Sequence, residues 1–348
     1  MTETLSPYLP EIWLLIIGFF LLYYAVTDGY DLGVGIISLW NRHEEDRGVL
    51  MNAVSPVWHG NQTWLVVLGG MLFGAFPPFY SILLSSLYVP MVVMLFGFVF
   101  RGIAFEFRGQ ARKKRFWSLS FGIGSLVVTL AQGFALGGLL GGLDVRNGRF
   151  VGTAWDWVNP YAALVGSGVL CGYVMLGANY LILKTEGALQ KRNFRNAMRA
   201  SLLTLLISAG VHLWTALRYS QVARKWTHVY DSYAVAFLCV LALVSFTLVF
   251  CSLAKRREAA PLFWNVAAII FSFTALSVGL YPDMIPGGIA TPVTVQEAAA
   301  SAKTLIFMLG ATAVLLPVIL TYNTYAALKF RGKVQGSQYR EKENEICL

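Results

Sequence analysis

The chain is built from long apolar runs separated by short charged loops, and this pattern rules out most folds. Nine runs approach the roughly 20 residues that a helix needs to cross the hydrocarbon of a bilayer. They lie at about 11–39, 50–76, 79–106, 117–140, 160–184, 199–219, 232–254, 262–282 and 303–330. The alternating pattern of a membrane barrel is missing. The expected class is therefore all-α: a polytopic membrane protein with nine transmembrane helices, arranged as two four-helix bundles (runs one to four and five to eight) plus one extra helix. Composition agrees, since 57% of residues are hydrophobic and only 13% charged, too little polar surface for a soluble chain of 348 residues. A single transmembrane domain over 1–330 and a charged tail over 331–348 account for the whole sequence.

Basic residues set the orientation, because short cytoplasmic loops retain Lys and Arg. The loops after runs one, three, five and seven, together with the tail, hold 20 of the 27. The opposite side holds six, Arg146, Arg149, Arg218, Arg224, Lys225 and Lys303, and Arg101 lies inside run three. This places the N-terminus outside and the C-terminus in the cytoplasm. It also explains the net charge of +9 without nucleic acid, since the basic residues lie in loops facing the membrane surface. The first basic residue is Arg42, so no basic region precedes the first run, which argues against a cleaved signal peptide. Phe76-Pro77-Pro78 predicts a tight hairpin between runs two and three. Trp155, Trp157, Tyr161, Trp226 and Tyr230 suit the outer interface, and residues 296–303 predict a short helix there.

Against this apolar background the ionisable residues stand out. Asp28 and Asp31 are one helical turn apart near the end of run one, and Gly33 and Gly35 follow. Run two opens with Trp58, His59, Asn61, Gln62, Thr63 and Trp64. Run three ends with Arg101, Glu106 and Arg108. At 1.5 Å per residue, Asp28 lies about 25 Å into its run and His59 about 14 Å into its own, from opposite sides. All of these groups thus fall in the cytoplasmic half of the first three helices. Charge inside a bilayer is costly and needs a partner or a watery cavity, so the two stripes are expected to face protein. Asp28, Asp31, His59 and Glu106 carry the elements of a proton path. Trp58, Asn61, Gln62, Thr63, Trp64 and Arg101 form a structural polar cluster or a partner interface. Helix bracing, with Arg101 paired to Glu106 or to lipid phosphate, is the plainer alternative for any one residue.

Other chemistry finds less support. Of four His, only His59 and His212 lie in spans, on distant runs, so no haem ligated by this chain is expected. Cys171, Cys239, Cys251 and Cys347 show no metal spacing, and no metal site is expected.

Three motifs in order resemble a known family. Thr27-Asp28-Gly29-Tyr30-Asp31-Leu32-Gly33-Val34-Gly35 is the first. Pro56-Val57-Trp58-His59-Gly60-Asn61-Gln62-Thr63-Trp64-Leu65 is the second, and Phe100-Arg101-Gly102 through Phe105-Glu106-Phe107-Arg108 the third. Together they resemble subunit II of the cytochrome bd-type quinol oxidases, with the third closer to the cyanide-insensitive branch. The resemblance implies a heterodimer with a subunit I that ligates haems b and d and oxidises quinol, reducing oxygen to water. It implies that subunit II supports the haem region, contributes to cytoplasmic proton supply and generation of the proton-motive force, and in some members holds a structural quinone, for which Trp58 and Trp64 are candidate contacts. It also admits a small single-helix accessory subunit. One departure is that the family reads Trp-Asp where this chain has Trp58-His59, which puts the carboxylate role of that position in question. The rival class is a secondary transporter or channel with its site at Asp28, Asp31 and His59, which would call for an inverted repeat that the sequence does not display.

Overall fold

The computed structural model describes residues 6–218, 229–285 and 293–334. Trp226, Arg224 and Lys225 of the loop after run six, and residues 335–348 of the tail, lie outside them, and Tyr230 is described in its backbone only.

The long helices are α1 (Leu9–Leu39), α2 (Glu44–Val54), α3 (Trp58–Ala75), α4 (Pro77–Arg108), α5 (Lys114–Leu140) and α6 (Pro160–Lys184). They continue with α7 (Gly187–Arg218), α8 (Val229–Ala254), α9 (Ala260–Leu280), the one-turn α10 (Val295–Ala298) and α11 (Ala302–Lys329). Two small antiparallel hairpins, Val145–Arg146 with Arg149–Phe150 and Asp283–Ile285 with Val293–Thr294, lie in loops. Among the described residues, eight helices are long and apolar enough to cross a membrane, so the chain is a polytopic helical membrane protein.

The second sequence run is where the structure differs from expectation. It divides into α2 and α3 at Ser55-Pro56-Val57. Pro56 has no N–H to give a helix, and the backbone leaves helical angles just after it, at Val57, with φ −121° and ψ −18°. α2 begins with Glu44, Glu45 and Asp46, placing negative charge at the positive end of its dipole. α3 keeps 18 residues but opens with a polar turn, and it is not among the eight apolar spans. α4 bends at Leu87, whose φ and ψ are −117° and 19°, three residues before Pro90. The proline ring collides with the carbonyl four residues back and forces that bend. The short helix expected over 296–303 is α10, whose Thr294–Glu297 capping box satisfies its first amides, and α11 begins at Ala302.

Packing forms two rings. α1 touches α3 and α5, α4 touches α5 and α3, and these four close one ring. α6 touches α7 and α9, and α8 touches the same two, closing a second. α1 also lies against α6, so it belongs to both, and α11 packs on α3 and α1. The first join depends on glycine. A Cβ at Gly33 would sit 1.8 Å from the Tyr173 carbonyl oxygen, and one at Gly177 would sit 2.6 Å from the Gly33 backbone. The same device joins α4 to α5, where a Cβ at Gly124 would come within 2.8 Å of the Gly97 carbonyl oxygen. Helices that touch backbone to backbone have no freedom to rotate, and this fixes which residues of each point inward.

α2 lies over one end of the first ring and is held by charge. The Glu44 carboxylate accepts from Arg108 Nη2 at 2.9 Å and from the Ser118 hydroxyl. Arg192 Nη1 donates to Asp46 at 3.0 Å and to Asn41 Oδ1 at 2.7 Å. The segment after α11 is tied to the same end of the molecule, through Lys184 to the Phe330 carbonyl and through Lys333 to Glu258.

Candidate functional site

The two glycine crossings turn Asp28 and Asp31 of α1 toward Arg101 of α4, and all three side chains are wholly buried. Arg101 Nη2 lies 2.6 Å from Asp28 Oδ1 and 3.5 Å from Asp31 Oδ2. Asn61 completes the set from α3: its Nδ2 donates to Asp31 Oδ2 at 2.9 Å and to the Tyr30 hydroxyl at 2.8 Å. Three helices of the first ring therefore meet at one ionic knot. The Asp28 contact is a close ion pair rather than an aligned hydrogen bond, and Arg101 Nε and Nη1 lack a hydrogen-bond partner among the described residues. With two carboxylates against one guanidinium, the fully ionised set carries one net negative charge in a place closed to bulk solvent, where ions are stable only if paired.

The expectation that Arg101 pairs with Glu106 is not met. Glu106 lies five residues further along α4, on the opposite face, and its partner is His59 of α3, Nε2 to Oε1 at 3.8 Å. Both side chains are open, 74% and 68% exposed, on the outer surface of the chain. The His59 ring is stacked on Trp58 at 3.6 Å, and Trp58 on Phe105 at 4.8 Å, so a layer of aromatic rings lies beneath the pair.

The expectation that the polar stripe of run two faces protein also divides. Helical periodicity sends Trp58, Asn61 and Trp64 inward, while His59 and Thr63 point out and Gln62 lies at the boundary. Thr63 returns its hydroxyl to the His59 carbonyl at 2.8 Å. Trp64 is fully buried against Phe20 and Tyr23, its ring 4.1 Å from that of Tyr23. The ten expected site residues thus fall into an inner set (Asp28, Asp31, Asn61, Arg101, with Trp58 and Trp64 packed around it) and an outer set (His59, Gln62, Thr63, Glu106).

A second polar chain adjoins the inner set, one helical turn along α1, and the sequence reading passed over it. The Tyr173 hydroxyl donates to Gln132 Oε1 at 3.0 Å, and Gln132 Nε2 donates to the Tyr24 hydroxyl. Tyr24 precedes Asp28 by four residues and so shares its face. Gln132 could have been noticed as the one amide in the middle of an otherwise apolar run; the tyrosines carried no signal of their own. Tyr30, also missed, stacks on Tyr180 with ring centroids 4.2 Å apart.

The sequence matches the family described as cytochrome bd terminal oxidase subunit II over residues 9–330. It is 30% identical to the cytochrome bd-I ubiquinol oxidase subunit 2 of Escherichia coli (strain K12), covering 93% of this chain and 94% of that one. It is 25% identical to the cytochrome bd ubiquinol oxidase subunit 2 of Bacillus subtilis (strain 168), covering 94% and 97%. In fold it is similar to a chain of the bd oxidase from Geobacillus thermodenitrificans, with a TM-score of 0.77 at 19% identity, over 92% of this chain and 98% of that chain.

Proposed function

The chain belongs to the cytochrome bd terminal oxidase subunit II family, and from that premise we propose that it is the haem-free half of a quinol:oxygen oxidoreductase of the bacterial inner membrane. Its partner is a subunit I that ligates haems b and d and oxidises quinol. This chain props the haem region and supplies part of the route by which protons from the cytoplasm reach the oxygen being reduced, so that turnover builds a proton-motive force. Nine spans, with α3 as the ninth, put the N-terminus in the periplasm and the tail in the cytoplasm.

One observation carries the reading: an exposed ionisable pair on a membrane-facing surface. His59 and Glu106 stand among exposed Phe100, Ile103 and Phe107. Left against lipid tails, such a pair would be costly, so the surface that bears it is one that another protein covers. An imidazole can both take up and release a proton, and a carboxylate 3.8 Å away can exchange it, so the pair suits the outer end of a proton path. Asp28 and Asp31 form the inner end. With one guanidinium between two carboxylates, that set holds one proton when neutral and releases it at the cost of a single net charge. Asn61 of the inner set, which donates to Asp31, shares α3 with His59.

The haems and any structural quinone lie beyond what this chain's residues define. The chain's own part is to hold Arg101 and the aspartates rigid and to offer the exposed pair to its partner. The test is to purify the complex from membranes through a tag on this chain, identify its subunits by mass, and record its reduced spectrum and quinol-driven oxygen uptake. Reduced haem bands with a second large subunit and oxygen uptake are expected. A haem-free chain purifying alone would overturn the proposal.

A further inference from the structure

The second ring has a polar interior of a different kind. Asn179 on α6, Asn193, Ser201 and Thr204 on α7, and Asn265 on α9 are each at most 9% exposed. Asn179 Oδ1 and Nδ2, Asn193 Nδ2, Ser201 Oγ, Thr204 Oγ1 and Asn265 Nδ2 find no hydrogen-bond partner among the described residues.

The two hydroxyls are exceptions to a habit of this protein. Thr27, Ser125, Thr129, Thr215, Ser245 and Thr274 each donate to the carbonyl four residues back, at 2.8 or 2.9 Å. This is the usual way for a hydroxyl to be satisfied inside an apolar helix. Ser201 and Thr204 have the same option and do not take it. They lie eight and eleven residues beyond Asn193, so the three form one stripe along the inner face of α7.

The register brings the asparagines to a common depth. Gln190 Nε2 donates to the Ile182 carbonyl at 2.9 Å and to Glu258 at 2.8 Å, tying α7, α6 and the start of α9 at one level. Asn179 and Asn193 each lie three residues inward from that tie, and Asn265 lies about one to two turns inward along α9. There is also room. Ala197 and Ala200 line the stripe, and a Cβ built at Gly172 would meet only the Thr204 methyl, at 4.0 Å.

Leaving a buried amide or hydroxyl unpaired is costly, and where there is room such groups are satisfied by water. We propose that the inner face of α7 holds a file of ordered waters, bonded to Asn179, Asn193 and Asn265 at the end near Gln190 and reaching Ser201 and Thr204 deeper in the second ring. None of the five side chains titrates, so the file is a hydration site rather than a proton store.

The complete complex, purified through this chain, is imaged at a resolution that shows ordered water elsewhere in the map. Density within about 2.7–3.2 Å of Thr204 Oγ1 and of at least two of the asparagine amides is expected. In parallel, the isosteric Thr204→Val and the near-isosteric Asn265→Leu are melted as intact complexes. If water bonds these groups, each variant loses bonds and melts lower, by about 2–4 °C for a loss near 1 kcal/mol. If the groups are truly unpaired, apolar replacements relieve them and melting stays the same or rises. An empty stripe in a map that resolves waters elsewhere overturns the proposal, and so does a Thr204→Val complex that melts as high as the parent or higher.

Discussion

Replacing Arg101 by Met tests the ionic knot most directly. Met keeps most of the unbranched stem of the side chain and removes its charge, leaving Asp28 and Asp31 facing each other with no cation and no access to bulk solvent, both 0% exposed. Removing one partner of a buried pair costs about 3–5 kcal/mol, because the remaining charge cannot be rehydrated. With 1 kcal/mol worth roughly 2–4 °C in a mid-sized domain, the complex should melt lower by about 6–20 °C. Asp28→Asn should cost less, because Arg101 keeps Asp31 at 3.5 Å, and Asp31→Asn least, because the 2.6 Å pair survives and what is lost is the longer 3.5 Å pair and the charged acceptor of Asn61. The assay is the fraction of complex surviving a heat step, read by size-exclusion chromatography in detergent. The decisive comparison is the triple variant R101M with D28N and D31N, which removes every charge together and should recover much of the loss. A triple variant as unstable as R101M alone would refute the reasoning, since the damage would then come from lost shape and not from stranded charge.

Other outcomes follow from the same geometry. Gly33→Ala should prevent assembly or destabilise strongly, since its methyl would sit 1.8 Å from the Tyr173 carbonyl oxygen, whereas Gly70→Ala, with nothing within 4 Å, should be silent; equal expression and melting of the two would contradict the crossing. His59→Ala should slow oxygen uptake and proton uptake together while the haem spectrum stays intact, and unchanged turnover would remove His59 from the path. Glu258 accepts from Gln190 and from Lys333, and these bonds hold its carboxyl below the ordinary range. A depressed pKa contributes stability above the unfolded value and loses it as pH falls through the folded one. The melting difference between the parent and Glu258→Gln should therefore be present at neutral pH and vanish only well into acid; a difference that persists at every pH would sink this assignment.

Much of the fold could be read from the sequence because a bilayer leaves the backbone few choices. Apolar length fixes which segments become helices, as in α1, α6 and α11, and Pro77 marks the turn between α3 and α4. Less legible was the break at Pro56, where one run conceals two helices, of 11 and 18 residues. The site was legible as a set of residues and illegible as a set of partners. Spacing along one helix put Asp28 and Asp31 on one face, since three residues make nearly a turn. Nothing in spacing could pair Asp28 with Arg101, 73 positions away, because that depends on how far α1 and α4 are rotated about their own axes. That rotation is set by backbone contact at Gly33, Gly97, Gly124 and Gly177, which a one-dimensional pattern does not record. The setting of α3 against α1 likewise carried Asn61 inward and left His59, two residues away, on the surface beside Glu106. The sequence by itself determined that charge would be placed in the membrane. Only the packing of helices decided which charges were sealed and which were left on the surface.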